Sequence, residues 1–163
     1  MNENNNVLGV HPSSRGFGWA LFESAVSPFD WGTVEVRNRK EGAIMARFKH
    51  LLKRHKPAVL ALEQFEGEPA RRSPRIAKLA MRMAATARKR NIAVAILTRA
   101  DIDLAFGGTG AKTRDEIAAF VARNVNALRD RLPKPRKVWD SEHPSRALFD
   151  AAACALTWYA QNS

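Results

Sequence analysis

Two short runs of unbroken apolar residues, at 58–62 (AVLAL) and 92–97 (IAVAIL), most constrain what this chain can fold into. A strand without polar alternation is buried on both faces, so it belongs to a sheet with helices on either side. Helical patterns precede both runs. In residues 41–55, Ile44, Phe48, Leu51 and Leu52 fall on one face, and Pro57 stops the pattern. In residues 74–90 the stripe is Ile76, Leu79, Ala80, Met83, Ala84 and Ala87, with Ser73 and Pro74 as cap and first position. Ahead of these lie an apolar run at 7–10, turn chemistry at 11–16 (HPSSRG), and strand patterns at 17–23 and 31–37. Beyond them come a short helix at 101–106 and a Gly-rich loop at 107–110. Thr113 and Glu116 match a capping box that opens a helix to about residue 129. A Pro- and Lys-rich connector at 132–137 leads to a last helix at 145–160. The order predicts an α/β fold: a mixed five-stranded sheet, three antiparallel strands then two parallel ones, with helices on both faces. At 163 residues this is one domain, 1–163, whose polar lead-in 1–6 is expected to fray.

A single cysteine, Cys154, excludes an internal disulfide and a Cys-rich metal site. The first residues lack the basic and apolar regions of a signal peptide, and no apolar run approaches membrane-span length, so a cytoplasmic location without membrane contact is expected. The charge is less ordinary. Lys plus Arg is 27 against 16 for Asp plus Glu, a net +11. A polyanionic partner would relieve the self-repulsion of such an excess. Between Pro69 and Ala100 there are nine Lys or Arg and no acid. Arg75, Lys78 and Arg82 recur at helical spacing, where like charges destabilise an isolated helix by ~0.2–0.5 kcal/mol per pair. A helix face shaped for an anion explains this better than a merely solvated one. Arg71 and Arg72 precede it, and Arg123, Arg129, Arg131, Lys134, Arg136 and Lys137 form a second cluster. Neither stretch interleaves aromatics, which favours phosphate-backbone contact over base stacking.

The stretch GGTGAKT invites a nucleotide-loop reading, but Ala111 stands where glycine is required before the lysine, so no nucleotide cofactor is expected. Lys112 at a helix start can still meet a phosphate. Carboxylates are more informative. Glu63 closes the buried strand AVLALE, where a charge is costly unless it faces a cleft, a metal or a partner. Asp150 interrupts the apolar run ALFDAAACALTWY and shares a helical face with Ala147, Cys154 and Thr157. Each alone can be a salt-bridged acid; together they suit a hard cation such as Mg²⁺.

Four segments resemble RuvC-type Holliday-junction resolvases of the RNase H-like superfamily. VLGVHPSSRGFGWALFE is similar to that family's first hairpin, and KPAVLALEQF to its strand ending in a catalytic Glu. IAKLAMRMAATARKRNIAVAIL with the loop bearing Lys112 follows the family order, and DAAACALT is similar to its metal-binding last helix. The resemblance spans nearly the whole chain. It implies a homodimeric, structure-selective endonuclease on four-way or other branched DNA, with a two-metal site for Mg²⁺ or Mn²⁺. Glu63 and Asp150 would be metal-binding carboxylates, and Lys112 a catalytic or DNA-contacting lysine. Arg15, Arg71, Arg72, Arg75, Lys78, Arg82, Lys112 and Arg114 are the expected nucleic-acid contacts.

Two positions depart from the family. His11 stands where its first Asp would be, and Ala147 one helical turn before Asp150 (or Ala153, if Asp150 is the earlier acid) stands where another acid would be. Imidazole suits Mn or Zn better than Mg. His11 is therefore a ligand for a different metal, a general base, or the mark of a lost active site, while Asp140, Glu142 and His143 are candidate replacement ligands. His143 is also readable as a plain helix-entry residue. Three readings follow: an endonuclease with His11, Glu63, Asp150 and Lys112 catalytic; a catalytically impaired binder of branched nucleic acid; and an RNA-directed relative.

Overall fold

A computed structural model describes residues 5–64, 74–134 and 143–163. Five strands, β1 (Val7–Pro12), β2 (Gly16–Ser24), β3 (Ser27–Glu35), β4 (Val59–Glu63) and β5 (Ala93–Leu97), form one sheet in the order β3-β2-β1-β4-β5. The pairs β1–β2 and β2–β3 are antiparallel; β1–β4 and β4–β5 are parallel. This is the expected mixed five-stranded sheet. Helices α1 (Glu41–His55) and α2 (Pro74–Lys89) cover one face, packing Phe48, Leu52, Leu79 and Met83 on Leu8, Val10, Leu60 and Leu62. Helices α3 (Arg99–Gly107), α4 (Arg114–Asn124) and α5 (Ser145–Gln161) cover the other, on Val7, Ala20, Phe22, Val59 and Ala61. No helix of the described residues is long and apolar enough to cross a membrane.

Alternation along β1 and β4 decides which side chains meet α5. Val7 and Val59 lie in the α5-side core, Leu8 and Leu60 in the other. Two-residue steps then bring His11 and Glu63 to the α5 side at the strands' carboxyl ends. The helix sits unusually close here. A methyl at Gly9 would overlap the carbonyl of Ala151, and one at Gly18 would overlap the backbone of Ala147. Two missing side chains let α5 lie nearly on the sheet, directly over the register pair His11–Gly18.

Several boundaries differ from the sequence reading. β1 continues through His11 and Pro12, so the turn is confined to Ser13–Arg15, closed by Ser13 N–H donating to the Gly16 carbonyl at 2.9 Å. β3 spans Ser27–Glu35, not 31–37. The run 92–97 was expected to be buried, but β5 is an edge strand: Ile96 is 42% exposed and only Leu97 is buried. Its apolar composition reflects contact with α2 and α5-side residues through Val94 and Ala95 rather than burial on both faces. α3 starts early because Thr98 and Asp101 form a reciprocal capping box. α4 ends at Asn124, whose amide donates to the Phe120 carbonyl, and a 3₁₀ helix, Asn126–Arg131, carries the chain on.

Candidate active site

His11, Glu63 and Asp150 meet at one point. His11 Nδ1 lies 3.9 Å from Glu63 Oε2, and its Nε2 lies 3.6 Å from Asp150 Oδ2. All three are nearly closed to solvent, with side-chain exposures of 5%, 8% and 11%. The imidazole stands between the acids, one nitrogen toward each, rather than beside them.

Each carboxylate also faces an arginine. Arg114, the first residue of α4, grips both oxygens of Asp150: Nε donates to Oδ1 at 2.8 Å and to Oδ2 at 3.0 Å, and Nη2 also donates to Oδ2. Such a forked pair is directional as well as charge-assisted. Arg99, the first residue of α3, brings Nη1 to 3.8 Å from Glu63 Oε1, while its Nε holds Asp103 at 3.2 Å. Burial pushes the Asp150 carboxyl up, but His11, Arg114 and Arg146 outweigh it and hold the group below its ordinary value. It is ionised at neutral pH.

His11 and Glu63 form the floor of an open cleft of about 1290 Å³, and Asp150 lies behind them in a small adjoining pocket with Arg99 and Arg114. Ser13, Ser14 and Arg15 of the β1–β2 turn, Arg39 after β3, Arg99, Arg114 and His143 contribute to its walls. A cleft at the carboxyl ends of adjacent parallel strands is where open α/β sheets take their ligands.

The expected residues are distributed unevenly around it. Arg15 and Arg114 line the cleft, though Arg114 binds Asp150 instead of simply facing outward. Lys112, expected at the chemistry, is exposed and does not line the cleft; its backbone N–H donates to Glu116 Oε2 at 3.1 Å. Thr113 Oγ1 accepts from Glu116 N–H at 3.1 Å, so the expected capping box is half formed, with Glu116 reaching back one residue further. Arg75, Lys78 and Arg82 lie on the exposed face of α2, Arg75 donating to the Arg39 carbonyl and Arg82 lying 3.4 Å from Glu41. Arg71, Arg72, Asp140 and Glu142 lie outside the described residues. His143 proves to be a helix-entry residue: its Nδ1 accepts from Ser145 N–H at 3.2 Å and lies 2.7 Å from Ser145 Oγ. Sequence reasoning missed Arg39 and the particular role of Arg99. The α3 capping signal, Thr98 to Asp101, would have placed Arg99 at a helix start beside the end of β5.

The expectation that Glu63, Asp150 and His11 hold Mg²⁺ or Mn²⁺ does not fit this arrangement. The imidazole occupies the space between the acids, and both Asp150 oxygens are engaged by Arg114. Among the described residues no group of three or more His, Cys, Asp or Glu is placed to hold a metal ion. The Arg99 and Arg114 guanidiniums flank this floor and offset, for an incoming dication, the attraction of its two carboxylates.

No family model matches the chain. It is 27% identical over 147 residues to the crossover junction endodeoxyribonuclease RuvC of Chlorobaculum parvum, covering 83% of this chain and 76% of that protein. Its fold is similar to that of Thermus thermophilus RuvC, with a TM-score of 0.69, 21% identity and 96% of each chain covered. T. thermophilus RuvC in complex with a Holliday-junction substrate gives 0.69 at 19% identity, over 96% of this chain and 94% of that one. The yeast mitochondrial Holliday-junction resolvase Ydc2 gives 0.60 at 14% identity, over 98% and 80%. The resemblance drawn from the sequence motifs therefore stands, and the fold is of the RuvC type.

Proposed function

We propose that this chain, similar in sequence and fold to RuvC-type resolvases, is a structure-selective endonuclease that binds branched DNA in the arginine-walled cleft and hydrolyses a phosphodiester on its floor. The observation that carries this reading is the meeting of His11, Glu63 and Asp150 beneath Arg15, Arg99 and Arg114. The guanidiniums hold the phosphate and offset the charge that develops on its oxygens. His11 accepts the proton of the attacking water, oriented by the two carboxylates; a P–O bond to that oxygen forms, one bridging P–O bond breaks, and the leaving strand-end oxygen takes a proton from solvent. Basic residues of α2 guide the duplex arms. The resemblance adds a homodimer matched to a two-fold junction, working in the cytoplasm.

A second reading, a binder that does not cut, is favoured by Arg114 closing over Asp150 and by Ala147 lining the cleft without an acid. One assay separates them. Labelled four-way DNA junctions, linear duplex and an RNA junction of matching sequence are compared for binding and strand scission. The endonuclease reading expects preferential binding of the DNA junction and cuts that disappear in Glu63→Gln. Tight junction binding with no scission under any divalent ion supports the binder, and equal affinity for linear duplex defeats both.

A further inference from the structure

Glu63 and Asp150 each face a guanidinium delivered by the first residue of a different helix, Arg99 of α3 and Arg114 of α4. Those helix starts direct the positive ends of two backbone dipoles toward the same floor. His11 adds a ring between the acids. The floor is thus supplied with positive charge by the chain itself, at the positions where the resemblance would put divalent ions. Arg99 and Arg114 are each about one-third exposed, so part of each guanidinium can reach a ligand in the cleft. With five N–H donors, Arg99 retains capacity for an incoming phosphate oxygen after binding its acids.

We infer that the guanidiniums of Arg99 and Arg114, with the neutral His11 ring filling the space between the acids, take the place of divalent ions in this site, so that the cleft receives a phosphodiester directly on guanidinium. This rests on the cleft being the DNA site, and it departs from the two-ion arrangement the resemblance implies. Arg99 and Arg114 act as substrate-positioning residues whose geometry is set by Glu63 and Asp150.

The test uses the full chain and Mn²⁺, with the free-ion signal followed by electron paramagnetic resonance. The wild type should show no saturable Mn²⁺ binding at millimolar metal. Its junction affinity should change by less than about twofold between EDTA and Mg²⁺ at matched ionic strength, since only screening differs. Removing the ring and one guanidinium in the double variant His11→Asp, Arg114→Ala should create saturable Mn²⁺ binding. Arg114→Ala alone, at a partly exposed position, serves if circular dichroism shows the double variant unfolded, and it should bind Mn²⁺ more tightly than the wild type. Stoichiometric Mn²⁺ binding by the wild type that vanishes in Glu63→Gln would overturn the inference. Folded variants as silent as the wild type would overturn it too, because the guanidinium and the ring would then not be what excludes the ion. A wild type that ignores Mn²⁺ but shows no junction preference defeats the proposed function and leaves the replacement of ions standing. Mn²⁺ binding with junction preference does the reverse.

Discussion

Asp150 is the residue on which the floor of the cleft turns. Its carboxylate is ionised against the pull of burial because His11, Arg114 and Arg146 surround it. Removing that charge leaves guanidiniums with fewer partners, so Asp150→Asn should lower stability by about 1–3 kcal/mol near neutral pH, read from urea midpoints. The pH dependence has a definite sign. A carboxyl whose folded-state value is depressed contributes its stability above the unfolded value, near 3.8, and loses it as pH falls through the still lower folded value. The gap between wild type and Asp150→Asn should therefore be full above that pH and close in stronger acid. A gap that persists unchanged into strong acid would mean the charge is not its source. Glu63 and Asp150 were legible in the sequence because each breaks a strong apolar pattern, and His11 only through the resemblance to the resolvase hairpin. Their pairing with Arg99 and Arg114 was not. Arg114 is 36 positions from Asp150, and only the fold brings such a pair together.

The packing of α5 against β1 and β2 decides whether those residues meet. Gly18→Ala would drive a methyl into the backbone of Ala147, and no flexible side chain stands there to give way. Overpacking of this kind costs about 1–3 kcal/mol, and displacing the helix carries Asp150 away from His11. Urea denaturation and junction binding should both weaken. Gly42→Ala in α1, with open space around it, is the control and should be neutral or stabilising by about 0.5–1 kcal/mol. Equal behaviour of the two variants would show that the close approach is not needed. At this scale the sequence was informative where periodicity was long: α1 spans 41–55 as expected and α5 differs from its expected end by one residue. It misled where neighbours decide. An apolar run does not reveal that β5 has no strand beyond it, and the turn-like composition of HPSSRG hid the last two residues of β1.

Across the whole molecule, the net charge of +11 has a clear layout. Acids are drawn into pairs with arginines: Glu63 with Arg99, Asp150 with Arg114, Asp115 with Arg146 and Glu41 with Arg82. In the proposed function the exposed cations of α2 other than Arg82 face the DNA, and a surface of that kind binds more weakly as salt rises. The sole cysteine lies on the other side of this design. Cys154, one turn beyond Asp150, is 1% exposed within the apolar layer between α5 and the sheet. A thiol so enclosed reacts with an aqueous reagent only when α5 leaves the strands. Its modification by a chromogenic disulfide should be slow in the native protein and faster in Gly18→Ala; prompt reaction of the native protein would contradict the close seating of the helix. Position 154 thus gives the molecule a built-in clock, ticking each time the helix that carries Asp150 lifts from the sheet.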